Sequence, residues 1–235
     1  MKVSSSEPHQ PSKSAVRRAG SKIRRWSAGE ATREEYEASI AVVEQYRALH
    51  TLPLVKVNNG LRRFCASLQI EGQVTQRLKK EATIVSKLTR ESGLDLSRMQ
   101  DIGGCRVVVK DHETLRRLES RICSSWSKRL VRTSDYIAEP RASGYRAVHL
   151  VVRWDERAIE IQLRTETMHA WAQTVEMISE SKRTNFKQDG DHLVQDFMAL
   201  MSKFDAYLEQ LGPPLTQAEL DKLHTMGEQV TAFLS

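Results

Sequence analysis

Cysteine is scarce in this chain, and the cysteines present do not stand in a metal-binding pattern. There are three among 235 residues, Cys65, Cys105 and Cys123, and no two of them have CxxC spacing. Zinc sites and disulfide frameworks need paired or even sets of cysteines, so the sequence predicts neither. A reducing compartment is the simpler expectation.

Long apolar runs are also missing. The N-terminal stretch MKVSSSEPHQPSKS contains no apolar segment of the kind found in signal peptides. No part of the sequence approaches the roughly 20 apolar residues that a helix needs to cross a bilayer. Together with the cysteine pattern, these absences predict a cytoplasmic protein without a membrane span.

Positive charge, in contrast, is in excess. The formal net charge is +6 and the sequence pI is about 9.3, which is compatible with an anionic partner such as a nucleotide, a nucleic acid or a membrane surface. Part of the excess surrounds Trp26, in the form of Arg17, Arg18, Lys22, Arg24 and Arg25. We predict a disordered basic tail over 1–28, and we favour a solubilising role for it over that of an RNA-binding arm.

Apolar spacing and capping signals predict N-terminal helices within 29–72, over 32–49 and 53–70. Further helices are predicted over 81–92, 111–124 and 167–182, and strands over 104–110, 129–137, 146–154 and 158–165. The C-terminal part, 187–235, is predicted to be helical over 191–211 and 216–233. The fold class is therefore α+β, a mixed sheet of four or five strands flanked by helices, with helical extensions at both ends.

The predicted strand 158–165 has a polar face that suits phosphate chemistry. Its period-two alternation places Glu160, Gln162 and Arg164 on one face, opposite the apolar residues. A carboxylate, an amide and a guanidinium in one row offer a metal ligand or base, a hydrogen-bonding pair and a phosphate clamp. Taken alone, the same pattern fits a solvated edge strand.

Two other segments carry residues typical of polyphosphate sites. Asp101 precedes two glycines and Arg106 at the entrance of the strand 104–110, an arrangement that suits Mg²⁺ and a triphosphate. Basic residues at 77–80 come before the helix 81–92, where a helix N-terminus would add to their attraction for phosphate. A glycine turn and a solvated charged face are the ordinary readings of these two patterns.

The segment 142–149 places a glycine and Tyr145 at the mouth of the strand 146–154. An exposed tyrosine at such a place can stack on a nucleotide base. A structural tyrosine and a hydrogen-bonded core histidine at His149 fit the pattern equally well.

These segments follow one another in an order that resembles the RelA/SpoT alarmone synthetase domain. They read RLK...T...K, DIGGCR, SGYRAVH and EIQLRT, and the resemblance extends over about 74–176, within a predicted domain of 73–186. GYRAVH and EIQLRT are the most specific motifs. The resemblance implies a nucleotidyltransferase-like fold and the transfer of pyrophosphate from ATP to the 3'-hydroxyl of GDP or GTP, giving (p)ppGpp and AMP.

On the donor side, the resemblance implies that Arg77 and Arg106 sandwich the adenine of ATP. It implies that Lys79 and Lys87 hold the phosphates, with Thr83 in the place of a common serine of the ATP site. By the same resemblance, Asp101 would bind Mg²⁺. Glu160 would complete the coordination of the metal ion or take the proton from the attacking hydroxyl.

On the acceptor side, the resemblance implies that Tyr145 stacks on the base. Arg141 and His149 would lie beside it, and Gln162 and Arg164 would shape the floor of the same site.

Departures from the family pattern fall on this acceptor side. Glu176 is kept in the helix after EIQLRT, but Met177 stands in place of a frequent histidine and Ser181-Lys182 in place of Tyr-Lys. Ser143 stands where an asparagine is frequent. The acceptor therefore stays open between a guanosine nucleotide and the 3' end of tRNA, the substrate of toxins in toxin–antitoxin systems, or an adenine nucleotide.

A catalytically inactive RNA-binding module is the alternative from a different class, which the retention of Asp101 and Glu160 disfavours. The terminal helices fit an antitoxin partner or a homo-oligomer. No membrane is expected among the partners.

Overall fold

A computed structural model describes residues 10–182, 184, 186 and 192–234 of the chain. Within these residues the helices are α1 Lys13–Ser27, α2 Arg33–Ala48, α3 Thr51–Ser67, α4 Glu81–Arg90, α5 His112–Ser125, α6 Glu166–Ser181, α7 Leu193–Leu208 and α8 Gln217–Leu234. The strands are β1 Gly72–Leu78, β2 Gly103–Val109, β3 Leu130–Asp135, β4 Val148–Trp154 and β5 Arg157–Thr165. A short 3₁₀ turn covers Leu96–Arg98.

The five strands form one mixed sheet in the order β1-β2-β5-β4-β3. β2 and β5 run parallel at its centre, and the other neighbouring strands are antiparallel. Parallel neighbours need a crossover connection, which here contains α5, β3 and β4. The predicted α+β class and the mixed five-stranded sheet are confirmed.

One face of the sheet carries the main core, beneath α3 and α5. Ile159, Ile161 and Leu163 of β5 are buried there in one cluster with Leu61 of α3 and Leu118 of α5. Burying a side chain of this kind stabilises the fold by about 1.5–3 kcal/mol. Because alternate residues of a strand point to opposite faces, this burial directs the polar residues of β5 to the other face, as the alternation predicted.

The N-terminal segment corrects one prediction. Residues 13–27 of the predicted disordered tail form α1, whose first turn is capped by the Ser12 hydroxyl accepting from the Ala15 amide. Val16 and Ile23 are completely buried, in a cluster with residues of α2 and α4. The basic composition concealed an apolar stripe at helical spacing. The packing of this stripe offsets the conformational entropy that is lost when the segment becomes ordered. The first nine residues of that tail lie outside the described residues.

β1 is a strand that the sequence pattern did not predict. Val74 is its buried residue, and Thr75, Gln76 and Arg77 are exposed, so the usual alternation is missing. Its backbone pairing with β2 makes it the edge of the sheet. The segment 77–78, predicted to precede a helix, is thus the end of a strand.

Other boundaries differ by a few residues. The predicted helix 53–70 ends at Ser67, and Gln69 just beyond it has a φ of 53°, which is incompatible with continued helix. The strand predicted from 146 begins at Val148. The predicted start of a helix at Asp191 lies outside the described residues. Among the described residues, no helix is both long and apolar enough to cross a membrane.

Candidate active site

The open face of the sheet brings side chains from all five strands into two cross-strand rows. In the strand order of the sheet, one row is Thr75, Arg106, Gln162, His149 and Ser134, and the next is Arg77, Gly104, Glu160, Val151 and Arg132. Gly104 has no side chain, and a Cβ placed there would have its nearest neighbour 3.9 Å away. The sheet therefore leaves space between Arg77 and Glu160.

These rows form the floor of a cleft of about 1360 Å³. Such a volume exceeds the roughly 300–1,000 Å³ of most small-ligand pockets, so the cleft has room for two nucleotides. Among the described residues that line it, twelve are lysine or arginine and six are aspartate or glutamate. The positive excess attracts polyphosphates.

Asp101 lies just before β2, and two lysines donate hydrogen bonds to one of its carboxylate oxygens. Its Oδ2 accepts hydrogen bonds from Lys79 Nζ at 2.8 Å and from Lys87 Nζ at 3.0 Å. The other oxygen, Oδ1, is buried and has no hydrogen-bond partner among the described residues. Burial raises the pKa of Asp101, but the two ammonium groups outweigh burial and lower the pKa overall. The carboxylate is therefore ionised at neutral pH.

Glu160 belongs to a closed ring of hydrogen-bonded side chains on β4, β5 and the loop before β4. Gln162 Nε2 donates to Glu160 Oε2 at 2.8 Å, and His149 Nδ1 lies 3.2 Å from Glu160 Oε1. His149 Nε2 lies 2.6 Å from the Tyr145 hydroxyl. Arg164 closes the ring by donating to that hydroxyl at 2.9 Å and to Gln162 Oε1 at 3.2 Å.

The direction of these hydrogen bonds follows from Glu160, because an ionised carboxylate only accepts. His149 Nδ1 must then carry a hydrogen, which it donates to Glu160 Oε1. Burial raises the pKa of Glu160, but the bonds from His149 and Gln162 outweigh it and lower the pKa. Burial raises the pKa of Tyr145, so its hydroxyl keeps its proton at neutral pH.

The Arg141 guanidinium lies 5.7 Å from the centre of the Tyr145 ring, and the structure adds a second tyrosine beside it. The Arg141 guanidinium is 4.5 Å from the centre of the Tyr136 ring and donates to its hydroxyl at 3.0 Å. The Tyr136 ring contacts Tyr145 and His149 edge-on, at 6.0 and 5.2 Å between ring centres. Sequence reasoning missed Tyr136, although alternation with Arg132 and Ser134 along the predicted strand 129–137 would have placed it on the cleft face.

The predicted donor-side residues separate into two groups. Arg77 and Arg106 line the cleft with Lys79 and Lys87, and Arg106 Nε is buried without a hydrogen-bond partner among the described residues. Burial and the neighbouring guanidinium of Arg164 lower the pKa of Arg106. Thr83 is exposed on α4 and is not among the residues that line the cleft.

Of the residues that concern the departures from the family pattern, some line the cleft and one does not. Ser143 and Glu176 line the cleft, whereas Met177 is 62% exposed and is not among the lining residues. Trp171 of α6, which sequence reasoning did not single out, also lines the cleft, with its ring 6.3 Å from that of Tyr145. The side of the cleft that the resemblance assigns to the acceptor thus has an aromatic wall of Tyr136, Tyr145 and Trp171.

Comparison with known proteins identifies the same region as the motifs did. Residues 76–185 match the family model described as the region found in RelA/SpoT proteins. GTP pyrophosphokinase YjbM of Bacillus subtilis is 33% identical over 128 residues, which are 50% of this chain and 58% of that protein. The probable chloroplastic GTP diphosphokinase RSH2 of Oryza sativa is 30% identical over 137 residues, 58% of this chain and 18% of that protein. The chain thus spans less than two thirds of these curated relatives.

Solved structures share the fold. Small alarmone synthetase 1 from Bacillus subtilis aligns with a TM-score of 0.61 and 23% identity, over 79% of this chain and 97% of that one. The same enzyme bound to its product pppGpp aligns with a TM-score of 0.58 and 24% identity, over 71% and 94%. The resemblance that the four motifs predicted is confirmed.

Proposed function

Because residues 76–185 of this chain match the model of the RelA/SpoT region, we propose that the protein is an ATP-dependent pyrophosphokinase. It transfers the β,γ-pyrophosphate of ATP to the 3'-hydroxyl of GDP or GTP and releases AMP. The observation that carries this proposal is the position of Glu160. The ionised Glu160 carboxylate is hydrogen-bonded to Gln162 and His149. It lies beside the aromatic wall, in the same cleft as Asp101 and its two lysines.

The donor half of the cleft supplies charge for a triphosphate. Lys79 and Lys87 are held on Asp101, where phosphate oxygens would find two ammonium groups already in place. Arg77 and Arg106 line the same side and offer planar guanidinium faces to an adenine ring. Pre-positioned cations of this kind are the main protein contribution to phosphoryl transfer.

The acceptor half supplies a stacking surface and a base. A guanine ring would stack on Tyr145, and its ribose would direct the 3'-hydroxyl toward Glu160. In the reaction, the 3'-oxygen attacks the β-phosphorus of ATP, while its proton passes to the Glu160 carboxylate. The bond between the β-phosphorus and the oxygen that bridges to the α-phosphorus breaks, and AMP leaves with that oxygen and the electron pair.

Mg²⁺ is the proposed cofactor, and the residues present fit it. Asp101 Oδ1 is a buried carboxylate oxygen without a hydrogen-bond partner among the described residues. Mg²⁺ at nucleotide sites is held by one or two carboxylates together with substrate phosphates, so Asp101 and Glu160 would be its protein ligands. When bound, the ion would neutralise charge on the phosphate oxygens.

A transfer assay with several acceptors tests the function. The purified protein is incubated with ATP labelled at the γ-phosphate and, separately, with GDP, GTP, ATP and deacylated tRNA. We expect labelled ppGpp or pppGpp, with one AMP formed for each product molecule. Absence of transfer to every acceptor, with RNA retained on a filter, would contradict the enzyme and favour the binding module.

The 3' end of tRNA is the second candidate acceptor, and the charge of the cleft favours it. Lys13 of α1, Arg98 and Arg153 line the cleft but have no part in the nucleotide assignments above. Cations in excess of those needed for two nucleotides suit a longer polyanion. Label that enters tRNA and neither guanosine nucleotide would replace the first candidate with this one.

A further inference from the structure

α7 packs behind the loop that carries Tyr145 and touches both neighbours of that tyrosine. The Ser202 hydroxyl donates to the Gly144 carbonyl oxygen at 2.5 Å and accepts from Arg146 Nε at 3.0 Å. Both Ser202 and Arg146 are 4% exposed. A serine hydroxyl has one hydrogen to donate and can accept at the same time, so one side chain connects both bonds.

Arg146 also forms an ion pair with Glu209, the residue that follows α7. Glu209 Oε2 lies 3.6 Å from Arg146 Nη1, and Glu209 Oε1 accepts from Thr165 Oγ1 at the end of β5. Burial lowers the pKa of Arg146, and Glu209 and Asp205 oppose this effect. The arginine therefore ties the loop to α7 and, through Glu209, to the strand that carries Glu160.

Gly144 shows how closely the loop and the helix approach. A Cβ at this position would lie 2.8 Å from both the Ala199 Cα and the Ser202 Cβ. The φ of Gly144 is 86°, a conformation that residues with a side chain rarely adopt. Sequence and packing thus agree that the loop is built to rest on α7.

We infer that α7 is part of the acceptor site and that Ser202 and Arg146 are positioning residues for Tyr145. This inference rests on the proposed function. Tyr145 lies between the two residues that α7 holds, and regular strand pairing of β4 begins only at Val148. α7 lies outside the region that matches the family, residues 76–185, so this part of the site belongs to the C-terminal extension.

Steady-state kinetics of Ser202→Ala separate positioning from a merely structural role. Removing the hydroxyl leaves the Gly144 carbonyl and Arg146 Nε without their partner. We expect this to lower the equilibrium constant for the correctly placed loop by about tenfold. We expect the KM for GTP to rise about tenfold while the KM for ATP stays unchanged. Gly144→Ala, which forces the loop off the helix from the other side, is expected to give the same split. An equal rise of both KM values, or no change in either, would overturn the inference.

Thr225→Ala is the matched control, since this exposed α8 hydroxyl donates to the Asp221 carbonyl of its own helix. It is expected to change neither KM. Hydrogen exchange followed by mass spectrometry gives a measure that needs no activity. In Ser202→Ala, peptides over 139–147 should exchange faster than in the wild type, while those of α4 should not.

This second measure separates two kinds of failure. If the wild type transfers nothing to GDP or GTP, the proposed function fails, but faster exchange of the loop would still support its anchoring by α7. If the wild type is active and exchange over 139–147 is unchanged in Ser202→Ala, the positioning role is wrong.

Discussion

The ionisation of Glu160 determines whether the proposed proton transfer can occur. Its two oxygens are occupied by different neighbours, His149 on Oε1 and Gln162 on Oε2. Both interactions favour the charged form, which is why the pKa is lowered in spite of burial. At neutral pH the group is a carboxylate, the form that a general base requires.

Glu160→Gln tests this role because the amide keeps the size of the side chain but cannot accept the proton. We expect kcat to fall by about 10²- to 10⁴-fold, the usual contribution of a general base. Stopped assays of AMP formation measure the loss.

Glu166→Gln is the control for this variant, because Glu166 is exposed in the first turn of α6. It should retain wild-type kcat. Wild-type activity in Glu160→Gln would exclude Glu160 as the base.

Among the elements, α1 is the one whose presence the composition concealed. Its outer face is basic, but its inner face packs on α2, α4 and the turn at Leu96–Arg98. Arg24 also donates to the Leu94 carbonyl oxygen at 2.6 Å. α1 is therefore part of the fold and brings Lys13 to the cleft.

Ile23→Ala tests whether α1 is packed in solution. Ile23 is completely buried, and truncating such a side chain to alanine usually costs about 2–5 kcal/mol. Urea denaturation should show that loss in the free energy of unfolding. Arg18→Ala, on the exposed face of the same helix, should change it by less than about 0.5 kcal/mol. Equal small effects of both substitutions would mean that α1 does not pack on the domain.

At the scale of the whole molecule, stability should depend on pH through His50, which joins α2 to α3. The residue is 1% exposed, and its Nδ1 lies 2.9 Å from the Tyr46 carbonyl oxygen. Burial lowers the pKa of His50 to about 4. In the unfolded chain His50 takes up a proton at about pH 6.5, whereas in the folded chain it does so only at about pH 4. The free energy of unfolding therefore falls as the pH drops from about 6.5 to about 4.

The expected loss from this one group is about 2–3 kcal/mol between pH 8 and pH 4.5. Glutamine does not titrate. Between pH 8 and pH 4.5, the free energy of unfolding of His50→Gln should therefore fall by about 2–3 kcal/mol less than that of the wild type. Chemical denaturation of wild type and variant at both pH values measures the difference. His224→Gln, at an exposed position, should follow the wild type. Parallel curves for wild type and His50→Gln would show that His50 is not buried in the neutral form.

The sequence by itself determined the features that depend on local periodicity. Strand alternation follows from backbone geometry, so it correctly placed Glu160, Gln162 and Arg164 on one face and the apolar residues of β5 in the core. The order of the four motifs also predicted the resemblance to RelA/SpoT proteins that the family model bears out. β1 was missed because an edge strand with polar exposed residues has no such period, and α1 was missed because its charge outweighed its narrow apolar stripe.

Tertiary structure alone decided how these residues act together. Tyr145 and Arg164 are 19 residues apart, and Gly144 and Ser202 are 58 apart, yet each pair is hydrogen-bonded. No local pattern encodes such contacts, because they depend on how strands register and where helices pack. For this reason the sequence could name the carboxylate at position 160, but only packing shows the ring of hydrogen bonds around it and the helix that contacts the loop of Tyr145.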